Sequence, residues 1–257
     1  MAPETLRITT SGPHSFVVEA GAKKSVVLSL EDATELSCSL QIQLGAEAVC
    51  DVTVLQMLPS ATVATITQEI TVGEGAHLHL RNIELGGKKI THTVRSTVAG
   101  AHGRSDIDWL MYGKGEEALE LSARNIFMAR EGRGEIVMKG IAEEKAHAKV
   151  HGFIDIGLQG NGTDTYLTQS VLMLDPTAKI DAIPGLEIKT NDVKASHSAT
   201  VQRVTPEDLF TFASRGIEKH EARKMFVLGF ASSLLESIED EELREKIVGL
   251  LEEKYVN

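Results

Sequence analysis

The chain has 257 residues, of which 42% are hydrophobic and only 4% aromatic, and its formal net charge is -11. That length fits one large all-β domain with an appendage, or two small domains. The acidic balance repels phosphate backbones and argues against nucleic acid, and no run of 18 apolar residues offers a membrane span. The opening MAPETLRITTSGPHSF has neither the basic start nor the apolar core of a signal peptide, so a cytoplasmic protein is expected. Two cysteines, Cys38 and Cys50, are too few for a disulfide framework and read as reduced, buried thiols.

From about residue 14 to 204, short stretches alternate apolar and polar residues and are rich in Val, Ile and Thr: CDVTVLQML, ATVATITQEITV, AHLHLRNIEL, ITHTVRSTV and their successors. Such a series fits a sandwich, a barrel or a β-solenoid. Two features favour the solenoid. Small turn signatures recur directly before strands (LGAEAVCDVTV, VGEGAHLHLRN, AGAHGRSDIDW), and the Asn-Gly or Asp-Gly turns that hairpins prefer are scarce, Asn161-Gly162 being the one such pair. A core poor in aromatics also suits thin, regular layers of branched aliphatic side chains.

The pattern changes at Thr205. Thr205 reads as a helix N-cap, followed by Pro206, Glu207 and Asp208, with a short helix to about Ser214 and a stop at Gly216. A longer helix is predicted from about 217 to 238, with Ala222, Met225, Phe226, Gly229, Phe230 and Ser233 on one apolar or small face. A last helix is predicted over roughly 240 to 255, with an acidic first turn. The domains expected are thus 1–204, a β core, and 205–257, a helical appendage.

Few residues carry a chemical signature. His77 and His79 share one strand face, and His147 and His151 stand four apart, but no third ligand completes a zinc pattern, so surface or turn roles are expected. Walker A and nucleophile-elbow sequences are missing. Asp106 and Asp108 share a strand face beside Trp109, which leaves a polysaccharide-active β-helix as one alternative. A structural solenoid without chemistry is another. His197 stands alone among small residues in NDVKASHSATV, with Ala195 and Ala199 on its own face and Ser196 and Ser198 on the other.

From about 163 to 238 the chain resembles the SufB/SufD family of iron–sulfur cluster assembly scaffolds. The resemblance rests on Pro184 with LEI, then DVKASH, ATV, LF, SRGI, EA and GFASSLLE. It implies a right-handed parallel β-helix with a small C-terminal α-helical domain, and a scaffold rather than an enzyme. The cargo implied is a transiently assembled iron–sulfur cluster, with no nucleotide bound by the chain itself. The partners implied are a SufC-like ABC-type ATPase and a second subunit, giving a homodimer or a SufB/SufD-type pair. His197 then reads as the metal ligand, and Phe210, Arg215 and Gly216, backed by Phe226 and Phe230, as the grip for the ATPase. Ser198 stands where a glycine is common in the family. Gln169 stands near the place of a SufB-type cysteine, so the likeness leans toward the SufD type, with a minimal, archaic member that pairs with itself and serves as both subunits as the alternative.

Overall fold

The computed structural model describes residues 3–256. In chain order the strands are β1 (Glu4–Ile8), β2 (Gly12–Val18), β3 (Lys23–Leu30), β4 (Glu35–Leu44), β5 (Val49–Gln56), β6 (Val63–Val72), β7 (His77–Glu84), β8 (Lys89–Val98), β9 (Arg104–Gly113), β10 (Ala118–Phe127), β11 (Arg133–Ala142), β12 (His147–Ile156), β13 (Thr163–Met173), β14 (Lys179–Ile188) and β15 (Val193–Arg203). The helices α1 (Pro206–Ala213), α2 (Lys219–Leu235) and α3 (Glu241–Val256) follow. Odd-numbered strands form one 8-stranded sheet and even-numbered strands a 7-stranded sheet, each in chain order. Neighbours in each sheet pair in parallel, as β7 with β9 and β10 with β12 do. The result is the parallel β-solenoid that the turn signatures predicted.

Side chains stack in register from coil to coil. One inward column runs Val26, Val52, Leu80, Ile107, Ile136, Leu167. Each of these is at most 1% exposed. Alternation puts every second residue into this lumen, which is why small aliphatics fill a core with few rings. The turns stack as well. Gly100 lies against the backbone of Glu74 so closely that a Cβ would collide with it. Gly75 adopts φ +60 in an equivalent turn, where Glu47 and His102 accept φ +57 and +59.

The helices do not sit on the last coil. They cover the outer face of the odd-numbered sheet, where Leu55, Ile83, Leu110, Tyr112, Ile141 and Leu172 form a second core with Val227, Ala231, Leu234, Leu235, Ile247 and Leu251. This decides which face of α2 is buried. Ala222, Val227, Ala231, Leu234 and Leu235 are buried, whereas Met225, expected on the apolar face, is 50% exposed. The sheet beneath selects the buried stripe, and residue spacing alone could not.

Cations hold the helices down. Lys139 Nζ donates to Phe230 O (2.7 Å) and Ser233 Oγ (2.6 Å). Lys254 Nζ reaches Glu117 (2.7 Å) and Leu85 O (2.9 Å). Arg223 bonds Glu143 (2.8 Å) and Asp175 (2.9 Å). The Arg223 hydrogen bond holds the Asp175 carboxyl below the usual carboxylate range. A folded value below the unfolded one, about 3.9, adds stability above that pH and loses it as pH falls through the folded value. Asp175→Asn is therefore expected to lower Tm at neutral pH, with the gap to wild type closing below about pH 4. A gap that stays constant into acid contradicts the coupling.

Candidate functional site

His197 stands midway along β15, directly opposite Leu167 of β13. It therefore ends the inward column described above, one coil beyond the last buried aliphatic. Among the described residues no strand follows β15 in its sheet or β14 in the other, so the solenoid they form is open at this end. The column residues of the last coil are exposed or half-buried: Ala195 is half-buried, and His197, Ala199 and Val201 are exposed, Val201 by 59%. The small neighbours leave the imidazole accessible to a cargo or to another surface.

Gln169 lies on β13 beside Ala199, on the same inward face as Leu167. It is fully buried, its Nε2 donates to Val150 O (3.0 Å), and its Oε1 has no protein partner. No thiol is near. Cys38 and Cys50 are buried on β4 and β5, in early coils. Burial raises both thiols, Cys50 to about 12 with help from Asp51, so neither offers a thiolate. Among the described residues no group of three or more His, Cys, Asp or Glu could hold a metal ion. A metal bound at His197 must draw its other ligands from the cargo or a second chain.

The predicted grip residues divide into two sets. Phe210 projects from α1 and is 73% exposed, the largest exposure of any aromatic side chain noted in the molecule. Thr205 caps α1 through a capping box with Asp208, as expected, and Gly216 follows the helix at φ +81. Arg215 and Gly216 are exposed. Phe226 is half-buried and meets Phe212 edge-on (5.5 Å), and Phe230 is half-buried beneath the Lys139 ammonium (5.1 Å). The first three are exposed, Phe226 packs against α1 through Phe212, and Phe230 packs beside Lys139 of the sheet.

Two polar clusters escaped the sequence reading. On the outer face of the odd-numbered sheet, Arg81 is 3% exposed and donates to Asp51 (2.7 and 2.8 Å), His79 Nδ1 (2.8 Å) and Ser237 O (2.8 Å). His79 therefore accepts at Nδ1 and donates from Nε2 to Asp108 (2.8 Å). Asp51, His79, Arg81 and Ser237 of this relay line a cleft of about 560 Å³ beside the turn between α2 and α3. In the lumen, His92 and Glu84 bond to each other, fully buried, with His92 edge-on to Trp109 at 4.7 Å. The alternation of Ile90, His92 and Val94 was the available signal, since it puts His92 on the inward side.

The same geometry bears on the glycan-enzyme alternative. Asp106 bonds His77 (2.9 Å) and Arg104 (2.6 Å). Burial raises its pKa, but the bonds from His77 and Arg104 outweigh that and hold it below the usual range. It is thus a poor general acid. Asp108 is tied to His79, and Trp109 faces the lumen at 1% exposure, where no sugar ring reaches it.

A sequence model described as "SUF system FeS cluster assembly, SufBD core domain" matches residues 7–230. The chain belongs to the SufB/SufD family. The match takes in the early coils, which carry no motif recognisable by eye. Among curated relatives, the iron–sulfur cluster assembly protein SufD of Escherichia coli (strain K12) is 36% identical over 110 residues, 43% of this chain and 26% of that protein. SufD of Bacillus subtilis (strain 168) is 30% identical over 155 residues, 60% of this chain and 35% of that protein. SufB of the same organism is 25% identical over 223 residues, 86% of this chain and 43% of that protein. The matched part of this SufB/SufD-family chain thus spans less than half the length of these relatives.

Proposed function

We propose that the chain is a non-catalytic scaffold subunit on which an iron–sulfur cluster is assembled as cargo, in concert with a SufC-like ABC-type ATPase. The observation that carries this reading is His197: an accessible imidazole at the open end of a rigid solenoid, inside the family-matched region, with too few ligands around it to hold a metal alone. Imidazole holds iron less firmly than thiolate, which favours release of a cluster to an acceptor. The division of labour follows the chain. Residues 1–204 form the platform and pair through the open end with a second scaffold-type subunit. Residues 205–257 dock the ATPase, which binds the nucleotide. A cytoplasmic location belongs with this reading.

The docking surface is α1 and its exit turn, with Phe210, Arg215 and Gly216 in contact and Phe226 and Phe230 behind them. The cation clamps on α2 and α3 tie that surface to the sheet, so a force applied by the ATPase reaches the open end through a rigid body. The test is co-purification with the ATPase and retention of iron and sulfide after anaerobic reconstitution. Phe210→Asp is expected to weaken ATPase capture at least tenfold with Tm unchanged, because an exposed apolar anchor is lost and no core contact is touched. Wild-type chain that neither captures the ATPase nor retains iron contradicts the reading.

A further inference from the structure

Three cation clamps hold α2 along its length, and they differ in chemistry. Arg223, near its start, grips Glu143 and Asp175, and Lys139 grips Phe230 O and Ser233. Neither clamp contains a histidine. The third does. Arg81 Nη2 donates to Ser237 O (2.8 Å), just past the end of α2, and its Nε reaches Ser237 Oγ (3.3 Å). The same Nη2 gives its other hydrogen to His79 Nδ1 (2.8 Å), while Nη1 bonds Asp51 (2.7 Å). Arg81 is 3% exposed, so water does not readily replace a partner it loses.

This arrangement needs a neutral His79. Its one ring proton lies on Nε2 and goes to Asp108 (2.8 Å), which leaves Nδ1 as the acceptor that Arg81 requires. A second proton would occupy Nδ1. Two donors and two positive charges would then meet at a 2.8 Å contact, and arginine cannot give up its own proton. The surrounding charge keeps that protonation within reach. Asp51 of β5, Asp106 and Asp108 of β9, and Glu239 and Asp240 of the α2–α3 turn favour the imidazolium. Arg81, Arg104 of β9, Lys139 of β11, and Lys23 and Lys24 of β3 oppose it. His77, on the same strand, is tied to Asp106, and a proton gained there strengthens that bond rather than breaking one.

We infer that His79 is a proton-sensitive latch for the α2–α3 turn: its protonation displaces Arg81, frees Ser237 and opens the cleft that this turn walls on one side. His79 is a positioning residue that acts through Arg81. The start of α2, held by Arg223 and Lys139, stays in place, so the helices slacken at one end only. The latch does not rest on the scaffold reading. Under that reading it gives the ATPase-docking helices an attachment that loosens in mild acid.

Hydrogen exchange on the full chain, corrected for the intrinsic pH dependence of exchange, reads the latch directly. The reporters are the amides of Glu236, Ser237 and Ile238, which bond to Ser232 O, Leu234 O and Leu235 O at the end of α2. Between about pH 7.5 and about pH 5.5 their protection is expected to fall about tenfold, with residues 219–230 unchanged. His79→Gln supplies an acceptor and a donor but takes up no proton, so its protection is expected to be the same at both pH values. Asp108→Asn removes a carboxylate that favours the imidazolium, so opening is expected to move to lower pH. The Asp175 clamp gives way only below about pH 4, which separates the two transitions. Wild-type protection that does not change between the two pH values overturns the latch. So does a loss spread evenly over α2, or the same acid loss in His79→Gln. If glutamine does not seat and protection is low at both pH values, Asp108→Asn decides: an unmoved opening midpoint overturns the inference.

Discussion

His92→Leu is expected to destabilise the fold by about 3–5 kcal/mol, because it leaves Glu84 in the lumen without its partner. Glu84 is 1% exposed and His92 fully buried, and they reach each other from opposite sheets. Leucine keeps most of the volume, so the effect isolates the lost pairing from the cavity an alanine would open. The double variant Glu84→Met with His92→Leu is expected to recover most of the loss, since apolar side chains of similar size often replace a buried pair without penalty. Urea denaturation of wild type, His92→Leu, Glu84→Met and the double variant measures the coupling. A double variant no more stable than His92→Leu contradicts the account and assigns the effect to shape.

Ile141→Asp is expected to lose on the order of 4 kcal/mol and to release the helices. Ile141 is fully buried on the outer face of β11, under the helices. The cations that border this core already hold other groups: Lys139 holds Phe230 O and Ser233, Arg223 holds Glu143 and Asp175, and Lys254 holds Glu117. Met225→Asp, on the exposed side of α2, is the control and should stay within about 0.5 kcal/mol. Limited proteolysis adds a local reading: cleavage just after Val204 should accelerate in Ile141→Asp and not in Met225→Asp. Equal behaviour of the two variants means the helices do not rest on Ile141.

The alternating strands and the helix start at Thr205 were legible because they depend on neighbours in sequence. The second core was harder to read. Where the helices dock, strands are buried on both faces and alternation gives way to apolar runs, such as Leu110–Met111–Tyr112 and Val171–Leu172–Met173–Leu174. Those runs look like ordinary strand residues until something is known to cover them. The repeat was degenerate for a physical reason as well. The left-handed turn position is filled by Gly21, Gly75 and Gly162 in some coils but by Glu47, His102 and Glu131 in others, so no fixed glycine spacing survives.

The candidate site was legible in part. The position of His197 on a strand among small residues came from alternation, and its family context from the motifs around it. Its place at the end of a lumen column depends on register with Leu167, which one sequence does not fix. The relay of Asp51, Arg81, His79 and Asp108 joins three neighbouring strands and ends on Ser237, so no local window contains it.

The most direct test of the central claim is anaerobic reconstitution with the ATPase, iron and sulfide, comparing wild type, His197→Ala and His151→Ala by visible absorption and iron content. His151 is the control because it lies on the outer face of the even-numbered sheet, on β12 and covered at its edge by β14, and not in the lumen column that His197 ends. The account predicts a cluster in wild type and in His151→Ala, and its loss or marked weakening in His197→Ala. Equal cluster content in all three proteins contradicts it and returns His197 to packing.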